Sequence, residues 1–107
     1  MFFAVPLMLM AAQATPADPV GVARKAYSQC LSAQIQPSLD RKLSLADFQA
    51  SLKSKCGDKE TAFRNALLAD GRTSGMSASD AASDADDQIS DYVDKIVAEY
   101  EDYLQPG

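Results

Sequence analysis

Carboxylates are the commonest reactive groups in this 107-residue chain, with 15 Asp and Glu against 10 Lys and Arg. They could pair for general acid–base work or gather around a calcium ion. The densest run is Asp80, Asp84, Asp86, Asp87 and Asp91. Its oxygens fall near the spacing of a calcium loop, but Ala85 stands where the loop's sharp turn needs glycine, and the last position is the shorter Asp91. The same stretch places Ala81, Ala85 and Ile89 at helical spacing, which predicts an acidic helix face and no metal site.

The chain has no histidine. That removes histidine-based triads, imidazole metal sites and proton shuttles. No serine or threonine stands in a pattern that marks an activated nucleophile, and the five glycines are isolated, so no phosphate loop exists. The sequence predicts no catalytic residue and no cofactor. A formal charge of −5 and a pI near 4.5 argue against a nucleic-acid partner.

Two cysteines remain, Cys30 and Cys56. They lack both the CxxC spacing of a redox motif and the further ligands a zinc site requires. Behind an export signal they predict one disulfide, Cys30–Cys56.

The tyrosines are more informative. Tyr92, Tyr100 and Tyr103, with Leu104, follow helical spacing near the C-terminus. At helical spacing the tyrosines fit a half-buried core face with their hydroxyls reaching water; tyrosine is also enriched in protein interfaces, so these four residues form the candidate partner-binding set.

The elements that must position these groups are helical. Residues 1–14 are uncharged and largely apolar, and they end in Ala12-Gln13-Ala14. This pattern predicts a secretory signal cleaved after Ala14 and a periplasmic or secreted product. The run is too short to span a bilayer, so no membrane span is expected in residues 15–107. That remainder should be one helical domain. Asp18-Pro19 opens a first helix over about 19–35, which Pro37 ends. Ser44 and Asp47 cap a second over 45–56, with Gly57 as its stop. Asp58 and Gly71 bound a third over 59–70. Ser77 and Asp80 open the fourth and longest, 78–104, about 40 Å at 1.5 Å per residue. No run alternates with period two for long enough to make a strand.

Charge is divided unevenly. Residues 15–72 hold nine Lys and Arg and six Asp and Glu, while residues 73–107 hold one lysine and nine acids. The expected fold is therefore all-α, a small bundle of three to four helices tied by one disulfide, with a long acidic C-terminal helix. The fourth helix should outrun its partners by two turns and leave Tyr100, Tyr103 and Leu104 past the end of the bundle. The expected function is a non-enzymatic binding or inhibitory module for another protein. The alternative is a structural or self-associating protein that dimerises through the C-terminal helix.

Overall fold

The computed structural model describes residues 18–106; the expected signal segment lies outside them. Helices α1 (Pro19–Ala33), α2 (Ile35–Asp40), α3 (Leu45–Thr73) and α4 (Ala78–Leu104) follow in chain order. No strand occurs among the described residues, and the class is all-α.

The caps form where Ser and Asp predict them. Ser44 accepts a hydrogen bond from the Asp47 amide at 3.1 Å, and Ser77 accepts one from the Asp80 amide at 3.0 Å. Each satisfies one of the amides that a helix start leaves without an intrahelical partner. Pro19 is the first residue of α1, where its missing N–H costs nothing, but the Asp18 side chain makes no capping bond.

The middle of the chain departs from the sequence reading. The predicted second and third helices are one 29-residue element, α3, which runs through Gly57 and Asp58. Phe48, Leu52, Cys56, Phe63 and Leu67 are all buried along it. That continuous stripe outweighs the roughly 1 kcal/mol a mid-helix glycine costs. Nor does Gly71 stop the helix: it is buried two residues before the end. With 29 residues against 27, α3 matches α4 in length, so α4 does not outrun it by two turns.

The first helix also differs. It ends at Ala33, and Gln34 leads into the short α2. Pro37 has no amide proton to give the Ala33 carbonyl, so α1 cannot continue, but it is tolerated in the first turn of α2. Residues 36–40, between the expected first and second helices, are therefore helical.

Two helix ends close with the same hydrogen-bond pattern. At the end of α3 the Met76 amide donates to the Gly71 carbonyl at 2.9 Å and the Gly75 amide to Arg72 at 3.1 Å. Gly75 has φ +89°, the left-handed conformation this Schellman closure requires. At the end of α2 the Leu43 and Lys42 amides donate to Ser38 and Leu39, each at 3.0 Å. There the left-handed residue is Lys42, at φ 55°.

The contacts order the bundle. Helix α4 runs antiparallel to α3: Ala81 meets Gly71, Asp86 meets Arg64, Tyr92 meets Phe63 and Tyr100 meets Phe48. Helix α1 is also antiparallel to α3, with Arg24 over the Phe63 ring and Cys30 bonded to Cys56. The 15-residue α1 covers only part of the α3–α4 hairpin.

Candidate functional site

The expected disulfide is present: Cys30 and Cys56 are bonded, with their Cα atoms 5.8 Å apart. It joins α1 to the midpoint of α3. Cys56 is buried beneath it.

The four candidate partner residues separate into two groups. Tyr100 belongs to the core. It is fully buried, it stacks on Phe48 with ring centroids 3.9 Å apart, and its hydroxyl donates to the Leu43 carbonyl at 2.7 Å. Its expected place past the end of the bundle is corrected by the length of α3, whose first turns lie opposite it. Tyr92 is half-buried. Its ring meets Phe63 at 5.8 Å and Tyr27 at 6.3 Å, both edge-on. Its free side faces a shallow, open depression of about 310 Å³ that Arg24 and Lys95 also line.

Tyr103 and Leu104 are 57% and 44% exposed on the last turn of α4. Glu101 and Asp102 precede them, and the turn has no basic residue to complement the negative end of the helix dipole. One side of this helix end is anchored through Tyr100, and the other presents two large apolar side chains to solvent.

The acidic face of α4 has few partners. Arg64 pairs with Asp86 and with Glu60 of its own helix, the latter at 3.5 Å. Among the described residues no other ion pair forms. Arg64 is thus the one described residue that forms an ion pair between the basic part of the chain and the acidic helix. The Asp86 hydrogen bond raises the already high pKa of the Arg64 guanidinium, against a smaller opposing effect of burial. The run from Asp80 to Asp91 is helical throughout, with Ala81, Ala85 and Ile89 buried. Asp80, Asp84, Asp87 and Asp91 fall at steps of four, three and four along one face of the helix, while Asp86 lies on the side that meets Arg64.

A second site was not anticipated. Between α3 and α4 lies a groove of about 260 Å³. Leu52, Ile89 and Val93 give it apolar walls, and Lys53, Glu60 and Asp94 stand at its rim. Tyr27 is the only α1 residue that lines it. Tyr27 is 1% exposed, and its ring is packed between Phe63 and Tyr92. Burial, aided by the Glu60 carboxylate and opposed by Arg64, pushes its pKa from 10.0 up to about 12. The hydroxyl keeps its proton at physiological pH. In the sequence Tyr27 is one member of the apolar stripe of the first helix. Its reach to the far side of the bundle depends on how α1 crosses the hairpin, which spacing along one helix does not encode.

These features define an all-α, disulfide-tied bundle with an exposed apolar helix end and a groove between α3 and α4. No protein-family model, curated protein or solved structure matches the chain.

Proposed function

We propose that this protein is an exported, non-enzymatic helical protein, a binding or inhibitory module for another protein in the periplasm or outside the cell. One observation carries the reading: Tyr103 and Leu104 stay exposed directly after a fully buried Tyr100. A tyrosine and a leucine held side by side on an anchored helix turn have the make-up of an interface anchor. The neighbouring Glu99, Glu101 and Asp102 would surround that anchor with a polar rim. The disulfide fits an oxidising compartment. Among the described residues no helix is long and apolar enough to cross a membrane.

The test is capture from periplasmic extract with the full chain and with a chain truncated after Asp102. The cut removes Tyr103 and Leu104 and leaves Tyr100 in place. The reading predicts an unchanged melting temperature and loss of the captured protein. Retention of the same partner by the truncated chain would overturn it. The same apolar pair could instead meet its copy on a second chain, which is the self-associating alternative. Mass in solution separates the two.

A further inference from the structure

The charges beside Tyr103 and Leu104 narrow what can cover them. Residues three or four apart are neighbours on a helix surface. Glu99 therefore stands beside Tyr103, and Glu101 beside Leu104. Both acids are exposed, and so is Asp102. None of the three forms an ion pair with a described residue. The last turn of α4 holds no basic residue, so the partial negative charge of the helix end adds to theirs.

The surroundings leave this excess standing. Lys95, one turn before Glu99, is the single base of residues 73–107. Across from the helix end, the segment whose Leu43 carbonyl accepts from Tyr100 carries Arg41 and Lys42, and with them Asp40 and Asp47. Two bases and two acids cancel there.

An apolar pair in this setting excludes several occupants. A nucleic-acid backbone or an anionic lipid surface would bring phosphate against carboxylate. A second copy of the chain, docked through the same end, would place one patch on both sides and set each acid against its own copy. The occupant must offer apolar contact and positive charge together. A polypeptide does so on one amphipathic segment, with large apolar side chains on one face and Lys or Arg at its border.

We propose that the end of α4 is a docking site for a cationic amphipathic segment of another protein, whose apolar face covers Tyr103 and Leu104 while its basic side chains meet Glu99 and Glu101. This rests on the reading of that end as the partner site and adds the chemistry of the partner.

The experiment is an NMR titration of the oxidised full chain, read at Tyr103 and Leu104, with three short capped helical peptides. One combines leucine with lysine in an amphipathic pattern. In the second glutamate replaces the lysine, and in the third serine replaces the leucine. The expected result is saturable shifts with the leucine–lysine peptide, about tenfold weaker binding of the serine–lysine peptide and no binding of the leucine–glutamate peptide. Glu99→Gln combined with Glu101→Gln keeps the apolar pair and should weaken binding about threefold to tenfold, the worth of two exposed charge pairs. Neither side chain has a described partner, so the double variant should melt like the unaltered protein. Equal shifts with the leucine–glutamate peptide, or unchanged binding by the double variant, would overturn the proposal and leave the α4 end standing as a docking site. Shifts confined to Asp80, Asp84, Asp87 and Asp91 would overturn it as charge attraction without the apolar pair. Equal binding by the chain truncated after Asp102, or no shift at Tyr103 and Leu104 with any peptide, would overturn both the proposal and the reading of that end as a partner site.

Discussion

Around Tyr27 the chain stacks three helices, and around Gly71 it stacks two. In the first region Tyr27, Phe63 and Tyr92 bring one large ring from each of α1, α3 and α4. The disulfide ties α1 to α3 one turn away, and the Phe48–Tyr100 stack closes the bundle further along. In the second region Gly71 and Ala81 are the buried residues, and residues 72–80 are exposed throughout. Small side chains let α3 and α4 approach closely at the hairpin tip but remove little apolar surface from water. Stability should be concentrated where α1 covers the hairpin, and the tip should depend on backbone closure at Gly75 and on tight contact at Gly71.

The largest expected effect is the loss of a core ring. Tyr100→Ala should cost about 3–5 kcal/mol, while Tyr103→Ala, two-fifths buried and three residues on, should stay within about 0.5 kcal/mol. Denaturant unfolding of the two variants measures the contrast directly. Equal effects would mean that the last turn of α4 is not divided between core and solvent.

Reduction of Cys30–Cys56 comes next. The bond closes a sequence separation of 26, and its loss should cost about 3 kcal/mol through the freed unfolded chain. A melting temperature unmoved by reductant would place the stability elsewhere than in the α1 region.

Alkaline pH tests the same region through Tyr27. Its folded pKa of about 12 lies above the unfolded value of 10.0, so the folded state holds the proton more tightly. Stability should be intact below about pH 10 and fall by roughly 2–3 kcal/mol as pH rises towards 12. Tyr27→Phe should remove that decline. A variant with the same alkaline loss would show that another group causes it.

Two glycines sharpen the comparison further. A Cβ at Gly71 would lie 2.9 Å from the Ala81 Cβ and 3.2 Å from the Met76 sulfur. Gly71→Ala should therefore force the hairpin apart and cost about 1–3 kcal/mol, partly offset by better helix propensity. At Gly57 a Cβ meets nothing within 4 Å, and Gly57→Ala should stabilise by about 0.5–1 kcal/mol. Thermal melts of both variants should move in opposite directions.

The same contrasts mark what was legible in the sequence. Ser44, Ser77 and the Ile89–Ile96–Tyr100 periodicity place the starts of α3 and α4 and the buried face of α4, because caps and helical spacing are local signals. Gly57 misled as a stop signal because a mid-helix glycine costs only about 1 kcal/mol, and a continuous buried stripe exceeds that. Pro37 does end α1, but it is tolerated in the first turn of α2, so helix resumes where a local reading places none. Leu52, Cys56, Phe63 and Leu67 keep helical phase across Gly57, so the continuity was present in the spacing. Tyr100 was misplaced because its burial depends on where α3 begins relative to α4, and with α3 split in two that register was lost. The groove at Tyr27 depends on three helices at once.

The most direct test of the binding reading is the mass of the oxidised protein in solution, by sedimentation equilibrium, for the full chain and the chain truncated after Asp102. The account predicts monomers for both, with Tyr103 and Leu104 free to meet a different protein. A full-length dimer that reverts to monomer on truncation would contradict it, because the exposed end of α4 would then be occupied by a second copy of the chain.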